Sequence, residues 1–575
     1  MIATKVYPIA VLALMLFIWE SFLYNLTDYW MCLVFSPLVL TKQFSSGLRL
    51  LSRMHVDVLV LVIVIYMLCL SNLLVPFNFS ELSQSAFAEI QSNYSLVVCQ
   101  GDRLAAGQKL FEQVHSIYGF LLPTLCGIWQ KFFGCISWGN YVFLIRGLQF
   151  LFVLIVFSLY LRHARYRVHL VVLPLLMVVP WFNSNATSLL FPNLSPWRLI
   201  VFPLYLLVLY ATRRMTASWS FFLASCATGL FLFVNLESTI ATIGGIIIFL
   251  FFRFISSLNR KLFAYIAISF FGAAIAYIAF NLVVRLGLGY IPDFLSFVHG
   301  RLAVARLVQT GLWGGFRVPF NPFAFWVLIV DSYVIWKVAI MSQGKAASFR
   351  NCIRLSVATT SIIWLAYYFN RPAPWYLHAQ YFFFGFFAID MIRAIELMHR
   401  RVSFSLPLAW ATRASLAVIV VPMLIYCWRE NELQIKSLAS RTGLGNGEII
   451  DGVLVASDQA REARIKAATI KQRFVRDPNF AYVTAQTLLI PKLSGVPPST
   501  FMDDPYVELA FETDTNQFLK NLSQSSISHV YVDALDSNLV VGDQHRRGWL
   551  ASLKQRLLQK FPKEAYENGW CVLSR

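Results

Sequence analysis

Glu237 occupies the most chemically suggestive place in the chain. In GLFLFVNLESTIATIGG one apolar run ends and the next begins almost at once, leaving no loop to solvate the carboxylate. An ionisable group at a hydrocarbon boundary is costly and marks a candidate functional site. A general base is one reading; a hairpin carboxylate, exposed or paired with an arginine, is the structural alternative. Asp102 and Glu112 lie in GDRLAAGQKLFEQVHS, a helix-like run in which either could accept a proton or line a solvated face. Asp102 also suits a helix N-cap ahead of Leu104. Glu89 and Glu81 stand upstream, and His115, His299 and His378 are candidates for proton transfer or metal binding.

The arginines form a second group. Arg198 in NLSPWRLI and Arg371 in YYFNRPAPWYLHAQ each have a tryptophan close by, and Arg103 lies in the first polar segment. A guanidinium fork binds two phosphate oxygens at once, so these residues could hold an anionic lipid phosphate; the alternative is snorkelling to headgroups. Arg301, Arg306 and Arg317 share that choice. Asp390 has Arg393 one turn on, whereas Asp331 sits inside an apolar run with no sequence neighbour to pair with.

These residues must be carried by a membrane protein. Of 575 residues, 58% are hydrophobic and only 13% charged, about half the charge of an ordinary soluble domain. Apolar runs of about 20 residues, enough to cross ~30 Å of hydrocarbon, recur from Val6 to Trp428. The net charge of +19 does not indicate nucleic acid, because the basic residues are spread over short loops between the runs, the positive-inside pattern. Assigning basic loops to the inside gives about eleven spans from Val56 onward, and about thirteen if residues 6–40 hold two more. The polar segments at 76–140 and 285–321 then face outward. Tyr118–Phe133 is expected to be a helix at the outer interface rather than a span, since counting it would reverse every later loop.

From Arg429 the apolar runs shrink to strand length, as in FAYVTA, HVYVDAL and WCVLS, with helical patterns near Thr515–Leu522 and Gly548–Lys560. Residues 429–575 therefore read as a small α/β domain outside the membrane, with Glu448–Ile470 expected to be a helix that links it to residues 1–428. The chain holds no Walker loop, HExxH, GxSxG or CxxC. Its nine cysteines are scattered and define neither a zinc site nor a disulfide scaffold, although Cys99 could pair with Cys126 or Cys135.

A basic-inside bundle with a long first outer loop and an outer C-terminal domain resembles the GT-C fold of integral-membrane glycosyltransferases, over roughly residues 55–428. GDRLAAGQKLFEQVHSIYGFLLPTL is similar to the loop segment of the protein-mannosyltransferase-like and aminoarabinose-transferase-like branches; NLSPWRL, the NLES hairpin and YYFNRPAPWYL are similar to further members. The resemblance implies a polyprenyl-phosphate-linked sugar donor and a glycan, lipid or protein acceptor. It also implies an inverting transfer on the outer face of a cell membrane, such as a bacterial inner membrane. Glu237 or Asp102 would be the base and Arg198, Arg371 and Arg103 would hold the phosphate, with Glu89, Glu112, His115 and His378 as further candidates. A divalent ion could share the phosphate, though no ligand cluster is visible. One departure stands out: the family's acid, about a dozen residues before the loop glycine, falls here on Asn93, Tyr94 and Ser95. Either the acid is elsewhere or the chain is a non-catalytic assembly partner or a lipid or sugar flippase.

Overall fold

A computed structural model describes residues 84–112, 114, 119–163, 197–299, 322–342, 347–370, 379–380, 382–383, 385–387, 447–484, 489–496, 519–520, 522, 527–533 and 556–575. The expected spans within 6–40, Val56–Val75, Leu170–Val179 and Leu408–Cys427 lie outside these residues.

The first polar segment folds into helices α1 (Gln84–Ala105) and α2 (Leu121–Phe133), followed by α3 (Trp138–His163). Helix α1 ends in a Schellman turn. Gln108 N–H donates to the Arg103 carbonyl and Gly107 N–H to that of Leu104, with Gly107 at φ +94°, where only glycine sits without strain. Asp102 is therefore in the last turn of a helix, which rules out the N-cap alternative and ends the helix-like run over GDRLAAGQKLFEQVHS at Ala105. The run RLAA is bracketed by a good N-cap and a good C′ residue, and the upstream apolar face decides. Tyr94, Val97 and Val98 pack with Leu122 and Cys126 of α2, so the helix precedes Asp102.

The bundle continues through α4 (Val201–Ala211), α5 (Ala217–Val234), α6 (Leu236–Leu288), α7 (Pro322–Ser342) and α8 (Phe349–Asn370). Non-helical backbone at Phe254 and Lys261 folds α6 back on itself as two limbs. Among the described residues four helices are long and apolar enough to cross a membrane: Ala217–Val234, Leu236–Ser257, Lys261–Leu288 and Phe349–Phe369. They coincide with runs expected to be spans. The second limb of α6 runs parallel to α5, with Phe222 near Phe271 and Phe233 stacked on Phe280 at 3.8 Å.

The two ends of the bundle differ in charge. At one end arginines close helix ends and turns: Arg253 Nη2 donates to the Arg213 carbonyl at 2.5 Å, and Arg350 Nη2 to the His163 carbonyl at 2.9 Å. Helix α3 is 26 residues long, ~39 Å at 1.5 Å per residue, so Trp138 lies at the far end. There Glu237, Arg198, α2 and the C-terminal elements gather.

The C-terminal elements comprise β1 (Gly447–Ile450), β2 (Val453–Ala456), α9 (Ser457–Arg476), β3 (Phe480–Val483), α10 (Leu489–Ser494), β4 (His529–Asp533), β5 (Lys563–Glu567) and β6 (Trp570–Ser574). Strands β3–β6 form one sheet in the order β3-β4-β6-β5, in which only β3 and β4 are parallel. Side chains alternate between its faces. Phe480, Tyr482, Tyr531, Trp570 and Val572 meet α9 and α10, while Ala481, Val530, Cys571 and Leu573 meet Leu519, Leu522, Leu557 and Phe561.

The expected linking helix over Glu448–Ile470 is corrected at its front. Residues 447–456 form the β1–β2 hairpin, and α9 starts only at Ser457. Asp451-Gly452, at φ 50° and 83°, is a tight-turn pair flanked by isoleucine and valine, a stronger local hairpin signal than helix periodicity. The hairpin docks on the start of α3, where an added Cβ on Gly139 would come within 2.7 Å of the Gly452 carbonyl oxygen. Gly139 N–H donates to the Asp451 carbonyl, Trp138 N–H donates to Asp451 Oδ2 at 2.6 Å, and Lys492 Nζ bridges Asp451 and the Ile136 carbonyl. Ile450, Val453 and Val455 join the helical core. The β1–β2 hairpin and Lys492 are thus fastened to residues 136–139 at the start of α3.

Candidate functional site

The corner between α5 and α6 is built from Asn235. Its extended backbone (φ −160°, ψ 120°) turns the chain, and its side-chain oxygen caps α6 by accepting from Ser238 N–H at 2.9 Å. A capped helix start needs no loop, so Glu237 is delivered to the first turn directly after the preceding helix. Two other segments, one with Phe120 and one with Trp197 and Arg198, converge here through three bonds. Phe120 N–H donates to the Phe233 carbonyl at 2.7 Å, Trp197 Nε1 to the Val234 carbonyl at 3.0 Å, and Ser238 Oγ to the Arg198 carbonyl at 2.5 Å.

These bonds place Arg198 beside Glu237, with Nη2 at 2.9 Å from Oε2. Nη1 donates to the Tyr367 hydroxyl at 3.2 Å, and the guanidinium lies 5.5 Å from the Tyr367 ring centre. The arginine side chain is 1% exposed and the carboxylate 26%. The contact with Oε2 is an ion pair by distance, not a directed hydrogen bond. Two residues read separately in the sequence are thus one unit, and the arginine-paired alternative for Glu237 describes its geometry. For Arg198 the geometry differs from that expected of a phosphate ligand: the group is under the surface and faces a carboxylate.

The other candidates are elsewhere. Asp102 borders the α1–α2 interface beside the Cys126 thiol, which burial first and the Asp102 charge second push up to about 12. Cys99, Cys126 and Cys135 are all free thiols. Arg103 is buried and its Nε donates to Gln108 Oε1 at 2.8 Å across the Schellman turn. Glu112 is exposed with Lys109 at 3.6 Å, off the helix that carries Asp102. Glu89 lies within α1 and His299 is exposed. Glu81, His115, Arg301, Arg306, Arg317, Arg371, His378 and Asp390 fall outside the described residues. Among the described residues no three His, Cys, Asp or Glu side chains gather as metal ligands.

Asn235, Ser238 and Tyr367 were missed in the sequence. Asn-Leu-Glu-Ser is a readable helix start, a capping residue with an acid in the first turn. Tyr367 has no local signal, since its part depends on how α8 packs.

The class defined by these features is a mostly helical protein with apolar helices long enough to span a membrane and a small mixed sheet near its C-terminus. Comparison with family models, curated proteins and solved structures gives no match to the chain.

Proposed function

We propose that this chain is a multi-pass membrane glycosyltransferase that moves a sugar from a polyprenyl-phosphate donor to an acceptor hydroxyl at the end of the bundle carrying Glu237. The observation that supports it is a partly exposed carboxylate held by a buried arginine where the first loop, α5 and α6 meet. In this reading the acceptor oxygen attacks the anomeric carbon while Glu237 takes its proton, and the bond from that carbon to the phosphate oxygen breaks. Arg198 acts through Glu237 as a positioning residue. The charge on the departing lipid phosphate falls to Arg371, because Arg103, like Arg198, is buried. In this reading the active end is extracytoplasmic; the clustering of Arg213, Arg253 and Arg350 at the opposite end supports that sidedness through the positive-inside pattern.

The test is transfer from radiolabelled polyprenyl-phosphate sugars by the purified chain. Glu237→Gln, which keeps the shape and removes the base, should lose a hundredfold or more in rate, the usual range for a general base being about 10²–10⁴. Transfer at the unaltered rate would remove Glu237 from the mechanism. One observation favours a second reading, a lipid or sugar flippase: Asp331 is buried inside α7. A flippase would lose transport in Asp331→Asn while showing no sugar transfer in either form.

A further inference from the structure

Helices α7 and α8 meet along a narrow seam. Ala324 and Val327 of α7 pack on Leu365 and Tyr368 of α8. One helical turn further along α7 comes Asp331, at the level of Ser361. Asp331 is 1% exposed; Ser361, which hydrogen-bonds its carboxyl, and Gln380, which bonds Ser361, are fully buried. Among the described residues Asp331 Oδ2 has no hydrogen-bond donor and no cation within ion-pair distance. The charged groups on the packed helices are engaged elsewhere. Lys337 lies 5.6 Å from the Tyr333 ring centre, Arg354 donates to Asn351, and Arg350 donates to the His163 carbonyl. Tyr368 is the titratable neighbour in the seam.

A count of protons sharpens the point. Gln380 Nε2 donates to the Ser361 carbonyl at 3.0 Å, which fixes the amide orientation and turns Oε1 towards Ser361 Oγ. That hydroxyl donates to Oε1 at 2.5 Å. A serine hydroxyl has one proton, and both the Asp331 carboxylate and Gln380 Oε1 lie within its hydrogen-bonding reach, so one of the two acceptors is left facing a lone pair. A bare carboxylate would then meet oxygen lone pairs in a water-poor interior, where an unpaired charge is expensive. A proton on the carboxyl, donated to Ser361 Oγ, resolves the contact. So does a small cation shared by Asp331, Ser361 Oγ and Gln380 Oε1, because hard monovalent ions take oxygen ligands.

We propose that Asp331, Ser361 and Gln380 form an internal site for one monovalent cation, a proton or a sodium ion. The site is independent of sugar transfer, for it shares no residue with the Glu237 corner. It is tested by infrared difference spectroscopy of the full-length protein in lipid, titrated with acid in choline chloride and again in sodium chloride. A proton site gives a protonated-carboxyl carbonyl band that is absent in Asp331→Asn and unchanged by sodium. A sodium site gives the same band in choline and loses it in sodium, with release of a proton. Ser361→Ala keeps the carboxyl but removes its acceptor, and shifts the band in either case, which settles the matter if Asp331→Asn fails to fold. Spectra that contain no carboxyl band dependent on Asp331 or Ser361, in either salt, overturn the site.

Discussion

The sheet domain contains a buried ion pair whose removal gives a sharp energetic test. Lys466 Nζ lies 2.6 Å from Asp533 Oδ1, both side chains being 0% exposed, and 2.6 Å from Glu462 Oε1 at the 28%-exposed edge. Thr484 Oγ1 donates to the other Asp533 oxygen at 2.9 Å. Burial opposes the ammonium, but Asp533 and Glu462 outweigh it and hold the lysine above its ordinary range. Changing Lys466 to Met takes the cation from a buried carboxylate, whereas changing Asp533 to Leu leaves the ammonium with the part-exposed Glu462. The first should cost about 3–5 kcal/mol, the usual range when one partner of a buried pair is removed, and the second less. Removing both together should recover most of the Lys466→Met cost, because an apolar pair needs no compensation. Because Thr484 follows β3 and Asp533 ends β4, amide exchange in peptides over 480–484 and 529–533 of the full chain is the assay. At about 1.4 kcal/mol per decade, exchange should quicken roughly a hundred- to several-thousand-fold in Lys466→Met and less in Asp533→Leu. The lysine's raised value also fixes a pH window. The contribution is complete below the unfolded lysine value of about 10.4 and is lost as the pH rises through the higher folded value. A double variant as labile as Lys466→Met, or protection that fails on acidification instead, would refute this account of the pair.

Two further outcomes follow from docking and titration. Asp451→Ala removes the acceptor shared by Trp138 N–H and Lys492. Exchange should therefore rise together at the start of α3 and over 489–496, by about the 1–3 kcal/mol of an unsatisfied buried group; a rise confined to the hairpin would separate the two contacts. His529 is held below its ordinary range by burial first and the Arg473 charge second. A depressed histidine favours the neutral folded form, so its contribution is lost as pH falls below the unfolded value of about 6.5. His529→Gln should flatten the loss of sheet protection as the pH falls below about 6.5, and an unaltered slope would assign that loss to other groups.

What could be read from the sequence was what depends on local pattern. The apolar runs at 217–234 and 261–288 declare themselves by length, and FAYV, HVYVD and WCVLS by β-branched and aromatic alternation. Two local errors share one cause, competing signals within a few residues. Asp102 and Gly107 each announce a helix boundary, and Asp451-Gly452 interrupts a stretch whose later part is helical. That Glu237 could pair with an arginine was legible, but not that the arginine is Arg198. Nothing local ties residues 39 positions apart; the tie runs through Trp197 to Val234 and Ser238 to Arg198, bonds made only after α4 and α5 pack.

The same bonds explain why the acid is there. Arg198 stands at the end of the bundle opposite Arg213, Arg253 and Arg350, of which Arg253 and Arg350 donate to backbone carbonyls at helix termini. Arg198 is buried instead in the core, its guanidinium 5.5 Å from the Tyr367 ring centre, where a charge is costly to desolvate. Glu237 is the compensating charge, and Asn235 lets it reach that position by starting a helix without a loop. The asymmetry in exposure has a consequence. Removing the carboxylate leaves a buried cation, whereas removing the arginine leaves a quarter-exposed anion at a helix N-terminus, where water and the backbone dipole support it. Glu237→Ala should therefore destabilise the protein more than Arg198→Met, whatever each does to activity. A larger loss of thermal stability in Arg198→Met, measured on the purified full chain, would show that the arginine is held mainly by its packing and that the acid is retained for its chemistry.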